Sequence, residues 1–352
     1  MPVPEVRREG TASQGLHPTS ELSILTGIAR RVIDWLRRSL RRDIATSGPV
    51  ESSGDLLVVN GEVFQPEYAV SAGLELGDEF KTFFCGIEDI AFSIETGRTR
   101  VYETIGGRDL AEFGLIQIAS YPRPTATLLS SVSAYLEHRQ RPPISAAGIS
   151  APTKLYQLMV LAQDELPVPA TFYLPRRLLS GSFADLADRL GLPFILKAMN
   201  AGGGRLNFLV KTETDFLRYI EDPAHVKAGF LAQQFIPNNG TFRILVFGRD
   251  VPVVMHRCNT DGSHLTNTEQ GGHATLFEVE TFDAEPLGMA VRTAELMGCE
   301  IAGVNVVQDR QTRQWYLLEV SSSPAIGSGA FAEEKTRAYS FYLRTKLSAV
   351  CK

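Results

Sequence analysis

One acidic residue interrupts an apolar stretch near the end of the chain. Glu319 lies within the run from Trp315 to Val320, which has the length and composition of a strand. A carboxylate in such a run is costly to bury without a cation, a metal ion or hydrogen-bond donors. Two hypotheses therefore stay open for Glu319: an ion pair with one of the chain's arginines, or a place in a functional site.

A lysine lies next to a glycine-rich loop in the middle of the chain. Lys197 ends a predicted strand that begins at Phe194, and a second strand, Leu206 to Val210, leaves the loop. The loop contains three consecutive glycines, Gly202, Gly203 and Gly204. Glycine lets backbone N–H groups approach phosphate oxygens, and the lysine adds a positive charge. The loop joins two strands and lacks the GxxxxGK[ST] pattern, so it indicates either a phosphate loop of another kind or an ordinary turn.

Two arginines occupy a predicted hairpin that follows this region. Arg243 and Arg257 stand in otherwise apolar strands on either side of the turn at 248–250. Such arginines need anions nearby, either phosphate oxygens or structural acids. The apolar segment 230–236, which precedes the hairpin, is predicted to be a strand. It either presents main-chain donors and acceptors to an adenine edge or is an ordinary strand of a sheet.

The composition limits the classes of protein. The 352 residues are enough for two or three domains, and 44% hydrophobic content allows a sizeable core. A net charge of -5 is too small to indicate bulk binding of nucleic acid. The four cysteines are scattered without a CxxC pair, which indicates reduced thiols and a cytoplasmic location. We also expect no transmembrane segment and no signal peptide.

The pattern of elements predicts four regions. Residues 1–52 form a mobile terminus and a basic amphipathic helix from Ser20 to Asp43, and residues 53–150 form an α/β domain. Residues 151–236 and 237–352 form two α+β subdomains, the first with the glycine loop and the second with Glu319. The helix has six arginines on its polar face: Arg30, Arg31, Arg37, Arg38, Arg41 and Arg42. This face either docks an acidic peptide or membrane, or is solvated while the apolar stripe packs on the body.

The order of these segments resembles the ATP-grasp superfamily, most closely the RimK-like carboxylate–amine ligases, over residues 110–328. The resemblance implies an ATP-grasp fold behind an N-terminal α/β domain. It implies that one set of residues binds the nucleotide: Lys154, Lys197, Gly202, Gly203, Gly204, Gln233, Gln234, Phe235, Ile236 and Asn267. It implies Arg243 and Arg257 as catalytic residues, and Asn305, Glu319 and Ser321 as ligands of Mg²⁺.

Several positions depart from the family pattern. The family has Asp where Asn305 stands and Asn where Ser321 stands, while Glu319 keeps its identity. Thr241 replaces an acid, and Gln270 replaces an arginine. Asn and Ser still offer neutral oxygens to Mg²⁺. The lost charge at Asn305 predicts weaker magnesium binding or recruitment of another acid, such as Asp309.

The resemblance implies an ATP-dependent ligase that joins a carboxylate to an amine through an acylphosphate. Its cofactors would be ATP and Mg²⁺, and its substrate an amino acid as a small molecule or a peptide or protein tail. A homo-oligomer is possible, and no specific nucleic-acid partner is expected. Two alternatives stay open: a catalytically weakened nucleotide-binding module that regulates or scaffolds a partner, and an ATP-dependent phosphotransferase.

Overall fold

The N-terminal sheet of the protein is parallel and carries a small antiparallel hairpin. A computed structural model describes residues 53–60, 80–95, 98–120, 126–140, 143–145, 153–199, 205–225, 228–259 and 273–350. The first elements are β1 (Ser53–Asn60), β2 (Thr82–Gly86), β3 (Ile90–Glu95), β4 (Arg98–Glu103), β5 (Phe113–Ser120), α1 (Ala126–His138) and β6 (Ile144–Ser145). The sheet order is β2-β1-β5-β6, and β3 pairs with β4. Four successive apolar side chains of β1, residues 56–59, are buried, as expected of a parallel strand covered on both faces.

A second, antiparallel sheet follows. Its segment contains α2 (Lys154–Gln163), β7 (Thr171–Tyr173), α3 (Arg176–Leu179), α4 (Phe183–Leu190), β8 (Phe194–Ala198), β9 (Asn207–Val210), α5 (Glu213–Glu221) and β10 (Phe230–Gln234). The strand order is β7-β10-β8-β9. Phe194 of β8, Phe216 of α5 and Phe230 of β10 share one buried cluster, so helices cover one face of this sheet. The other face is left for the site described below.

The third sheet has five antiparallel strands. Its elements are β11 (Thr241–Phe247), β12 (Asp250–Cys258), β13 (His273–Phe277), α6 (Ala284–Leu296), β14 (Ile301–Gln308), β15 (Trp315–Ser321) and α7 (Ala332–Val350). The strand order is β13-β12-β11-β14-β15. Short 3₁₀ helices in the described residues cover Ile87–Asp89, Leu110–Glu112, Pro223–His225 and Val279–Thr281.

Helices α6 and α7 pack on opposite faces of the five-stranded sheet. Ile244 and Val304 lie in the cluster that contains α6 residues. Leu245 and Met255 lie in the cluster that contains α7 residues, which also includes Leu56 of the N-terminal sheet. We call the second face the α7 face. Because side chains alternate along a strand, Arg243, Asn305 and Glu319 all belong to it.

The predicted fold class is confirmed, because the chain combines an α/β N-terminal sheet with two α+β sheets. The helix that begins at Lys154 ends at Gln163, two residues before Glu165, which adopts a positive φ of 60°. Several predicted features lie outside the described residues: the basic N-terminal helix, Gly202, Gly203, Gly204, Asn267 and Gln270. Among the helices that the structure describes, none has the length and apolar character needed to cross a bilayer.

Candidate active site

Three polar residues form a row across three neighbouring strands of the five-stranded sheet, from the central strand β11 to the edge strand β15. Arg243 of β11 lies opposite Asn305 of β14, which lies opposite Glu319 of β15. The Arg243 Nη1 donates to Asn305 Oδ1 over 3.1 Å, and Asn305 Nδ2 donates to Glu319 Oε1 over 2.9 Å. The Asn305 amide therefore bridges a cation and an anion.

The charges on either side fix the orientation of the Asn305 amide. Rotating the group by 180° would turn its oxygen toward the Glu319 carboxylate and its N–H₂ toward the Arg243 guanidinium. Both new contacts would be repulsive, because a carboxylate only accepts and a guanidinium only donates hydrogen bonds. The oxygen of Asn305 consequently faces Arg243.

A bulge in β15 brings Glu319 to this face. Leu317 lies opposite Val306, yet Glu319 lies opposite Asn305, so one extra residue separates the two pairs. In regular register, Glu319 would lie opposite Val304 and point into the apolar cluster under α6. The bulge turns the carboxylate to the α7 face, a role that bulges often have beside functional sites.

Two lysines approach Glu319 from the preceding segment. The Nζ of Lys154, at the start of α2, lies 3.8 Å from Glu319 Oε2. Lys197, at the end of β8, is only 6% exposed. Burial lowers the pKa of the Lys197 ammonium to about 8; the Glu319 carboxylate opposes this shift and the Lys154 charge adds to it. Lys154 and Lys197 therefore reach one carboxylate from two different elements.

Arg243 lies directly on a glycine of the neighbouring strand. Its Nη1 donates to the carbonyl oxygen of Gly303 over 2.8 Å, and the guanidinium is buried. A Cβ at Gly303 would lie 2.4 Å from the Arg243 Cζ, so no other residue type leaves room for this side chain. Burial lowers the pKa of Arg243 to about 10; the charge of Arg257 adds to the shift and Glu319 opposes it. The sequence analysis did not identify Gly303.

A buried lysine reaches the α7 face from helix α7. Lys335 is 3% exposed, and its Nζ donates to the carbonyl oxygens of Ala325 and Ser328 over 2.8 and 2.6 Å. Burial lowers its pKa to about 8, and the charges of Arg257 and Arg243 add to the shift. Lys335 was missed because a lysine in an amphipathic helix has no distinctive sequence signal.

Gln157 fixes the helix that carries Lys154. Its amide accepts from the Val320 N–H and donates to the Val320 carbonyl, both over 3.0 Å. Gln157 lies one turn after Lys154 in α2, and Val320 follows Glu319 in β15. The two hydrogen bonds therefore hold the Lys154 and Glu319 side chains close to each other. A buried glutamine in an apolar helix face was a usable signal, but its partner could not be read from the sequence.

The remaining predicted residues lie around this centre. Arg257, on β12, lies close enough to affect the pKa of both Arg243 and Lys335. Ser321 lies opposite Gly303, two residues beyond Glu319 on the same face.

The predicted adenine-binding segment runs from β10 into the loop before β11. Gln233 is buried and donates to Thr171 Oγ1 over 2.7 Å. The backbone N–H of Gln234 donates to the Ala170 carbonyl over 2.8 Å. Phe235 is partly exposed and Ile236 is buried. The assignment of all these residues to nucleotide, metal or catalysis stays a prediction.

The donor set for a metal ion contains little charge. Among the described residues, no group of three or more His, Cys, Asp or Glu side chains could hold a metal ion. A divalent cation at Glu319 would depend on that carboxylate, on neutral oxygens such as that of Ser321, and on the anions of a bound substrate. Mg²⁺ often has such a shell, with one or two carboxylates, waters and phosphate oxygens.

Comparison with known proteins identifies relatives that are similar to this chain in sequence. A probable alpha-L-glutamate ligase of Desulfotalea psychrophila is 27% identical over 283 residues, which is 77% of this chain and 57% of the relative. The chain therefore spans little more than half the length of that relative. A similar protein of Shewanella halifaxensis is 24% identical over 77% of this chain and 58% of the relative.

A solved structure shares the fold. The ATP-grasp ligase PsnB, in complex with a phosphomimetic variant of a minimal precursor, Mg and ADP, aligns with a TM-score of 0.62 at 17% identity. The alignment covers 86% of this chain and 100% of the PsnB chain. At this identity, the likeness shows the fold alone. The family model of the RimK-like ATP-grasp domain matches residues 151–334, more than half of the chain, and the protein belongs to that family.

Proposed function

We propose that the protein is an ATP-dependent ligase that joins a carboxylate to an amine with release of ADP and phosphate. The observation that supports this proposal is the excess of cations around Glu319. Lys154, Lys197 and Arg243 all converge on this one carboxylate from three different elements. Such a site favours a polyanionic ligand.

The residues fit a nucleoside triphosphate and Mg²⁺. Lys197 is buried beside a second lysine, and both burial and repulsion oppose its charge. Phosphate oxygens at this position would stabilise the charged form. The segment from Gln233 to Ile236 would hold the adenine edge, and Glu319 with Ser321 would hold Mg²⁺. A bound Mg²⁺ would neutralise charge on the phosphate oxygens.

The chain's own residues would position and neutralise the reacting groups. In the proposed reaction, an oxygen of the substrate carboxylate attacks the γ-phosphorus, the bond to ADP breaks, and an acylphosphate forms. The amine then attacks the acyl carbon, phosphate leaves, and the amine loses one proton. Lys154 and Lys197 would hold the triphosphate, and Arg257 would stabilise charge on the transferred group. The reaction requires no side-chain nucleophile.

The names of the relatives suggest substrates to test first. The Desulfotalea protein is named a probable alpha-L-glutamate ligase, and PsnB is described with a precursor peptide. We propose an amino acid, with L-glutamate as the first candidate, or the end of a peptide.

One observation favours a second candidate function, a nucleotide-binding module with weakened catalysis. The Asn305 amide is neutral, and its oxygen accepts from Arg243. In the row of Arg243, Asn305 and Glu319, the negative charge therefore comes from Glu319. If magnesium binding limits turnover, Asn305→Asp should increase the affinity for Mg²⁺, because it adds a charge next to Glu319. It would also give Arg243 a charged partner.

The experiment that separates these functions measures ADP release and product mass together. The protein would be incubated with ATP, Mg²⁺ and L-glutamate, alone and with short acidic peptides. A ligase gives ADP and an amide, a phosphotransferase gives ADP and a phosphorylated substrate, and a regulatory module binds ATP without either. Lys197→Met should abolish ATP binding, whereas Lys211→Met, which changes an exposed lysine next to β9, should retain it. If Lys197→Met binds ATP normally, the assignment of the phosphate site is wrong.

A further inference from the structure

Two buried cations on the α7 face have only neutral partners. Arg243 is 8% exposed and donates to the oxygens of Gly303 and Asn305. Lys335 is 3% exposed and donates to two backbone carbonyls, those of Ala325 and Ser328. Among the residues that the structure describes, neither side chain forms an ion pair with a carboxylate.

Neighbouring positive charges raise the free-energy cost of keeping Arg243 and Lys335 charged. The charges of Arg257 and Arg243 both lower the pKa of Lys335, and the charge of Arg257 also lowers the pKa of Arg243. The carboxylate of Glu334, the neighbour of Lys335 in α7, only weakly opposes the lowering of the Lys335 pKa. A cation taken out of water without an anion carries a desolvation penalty of several kcal/mol. A bound anion would remove most of this penalty.

A purely structural role accounts for only part of the arrangement. Lys335 ties the loop between β15 and α7 to the helix, and that contact needs hydrogen-bond donors. It does not need a third positive charge beside Arg243 and Arg257. The hydrogen bonds of Lys335 have a structural explanation, whereas its positive charge is explained only by a bound anion.

Glu319 lies between two groups of cations. Lys154 and Lys197 come from α2 and β8, in the segment before the five-stranded sheet. The charges that shift the pKa of Lys197 are those of Glu319 and Lys154. On the other side, the positive charges that lower the pKa of Lys335 are those of Arg257 and Arg243, and neither Lys154 nor Lys197 contributes. A triphosphate at the first group would leave the second group available for a different anion.

We propose that Lys335 and Arg243 form a subsite for a carboxylate that does not react, carried by the amino-acid substrate. This inference rests on the proposed ligase function and adds the substrate class: an amino acid with a free carboxylate besides the group that is joined. Lys335 would contact this carboxylate from α7, and Arg243 from the sheet.

The test measures binding rather than turnover, so it is independent of whether amide formation is observed. Isothermal titration calorimetry would follow L-glutamate, L-glutamine and L-isoglutamine, the α-amide of glutamate, added to protein saturated with ADP and Mg²⁺. We expect the wild type to bind L-glutamate more tightly than one of the two amides by about 10- to 100-fold, the effect of losing one charged hydrogen bond. Lys335→Met should weaken L-glutamate by a similar factor and leave the weaker amide almost unchanged.

Controls separate the subsite from a general effect on the fold. Lys335→Arg should retain much of the preference for L-glutamate, because it keeps the charge and the donors. Arg337→Met, which removes an exposed charge on the same helix, should change nothing. Affinity for ADP should change less than twofold in Lys335→Met.

Four outcomes would overturn the proposal. In the first, the wild type does not bind L-glutamate at millimolar concentration, and in the second it binds both amides as tightly as L-glutamate. Lys335→Met may weaken glutamate and both amides alike, which would show a structural role only. A parallel loss of ADP affinity would place Lys335 in the phosphate site. ADP release with an amide product in any of these cases would leave the ligase function standing.

Discussion

At the scale of single residues, the site depends on one contact between a guanidinium and a glycine. Arg243 occupies the space that a side chain at position 303 would take. The carbonyl oxygen of Gly303 and the amide oxygen of Asn305 then accept its hydrogen bonds, which aims a positive charge across the row toward Glu319. The smallest residue of β14 is therefore needed for the position of a neighbour's charge.

Gly303→Ala should reduce function more than stability. The added methyl group must displace the end of a flexible side chain, which costs less than moving backbone, so we expect the free energy of unfolding to fall by about 1 kcal/mol or less. The displaced Arg243 should reduce kcat/KM at least about 10-fold, the value of one charge-assisted hydrogen bond. Steady-state kinetics and thermal unfolding would measure the two effects.

A second glycine provides the matched control. Gly288 lies in α6, and a Cβ there would meet nothing within 4 Å. Gly288→Ala should raise stability by up to about 1 kcal/mol, because alanine is the better helix residue, and leave kcat/KM unchanged. Equal activity of the two variants would show that the position of Arg243 does not matter for the reaction.

At the scale of elements, β15 is an edge strand whose outer side is covered by side-chain and loop contacts. It is the last strand of the five-stranded sheet. On its free edge, Gln157 pairs with both main-chain groups of Val320, and the Leu317 N–H donates to the Pro167 carbonyl over 2.8 Å. Exposed edges of this kind need protection. Here the protection also attaches α2, and hence Lys154, to the strand that carries Glu319.

Gln157→Leu should weaken this attachment. The change keeps a similar volume but leaves the N–H and the carbonyl of Val320 without partners in a buried position, at a cost of about 2–4 kcal/mol in the free energy of unfolding. We also expect lower affinity for the nucleotide, since Lys154 loses its fixed position. Urea denaturation and titration with ADP would test both. Gln163→Leu, at the exposed end of α2, should have neither effect, and equal destabilisation by both variants would contradict the role of Gln157.

At the scale of the whole molecule, the sequence predicted residues that are unusual in their own segment. Lys197, Arg243 and Glu319 are charges in apolar strands, and burial of an unpaired charge is costly wherever the strand lies. The order of the segments then predicted the family and the fold, and both are confirmed.

The rest of the site could not be predicted, because it depends on pairs that lie far apart in the chain. Gln157 and Val320 are separated by 163 positions, and Arg243 and Gly303 by 60. The bulge that turns Glu319 to the α7 face is defined by the pairing of β15 with β14, which the sequence of one strand does not give. Lys335 has an ordinary place in a helix, and only the packing of α7 against the sheet gives it a charged environment.

The proposed site takes residues from two sheets, and this predicts how ligand should affect unfolding. Lys197 belongs to the four-stranded sheet and Glu319 to the five-stranded sheet. A nucleotide that contacts both stabilises only the state in which both sheets are folded and adjacent. At about 100 times the dissociation constant, ADP with Mg²⁺ should add about 2.7 kcal/mol and raise Tm by about 4 °C.

Removal of the metal ion should reduce this shift. Without Mg²⁺, the Glu319 carboxylate would repel the phosphate oxygens, so ADP with EDTA should give a smaller rise in Tm than ADP with Mg²⁺. Differential scanning calorimetry of wild type, Lys197→Met and Lys211→Met would separate the contributions. Lys197→Met should lose most of the rise because it removes the buried cation, and Lys211→Met should keep it. An equal rise with and without Mg²⁺ would show that Glu319 holds no metal ion next to the nucleotide.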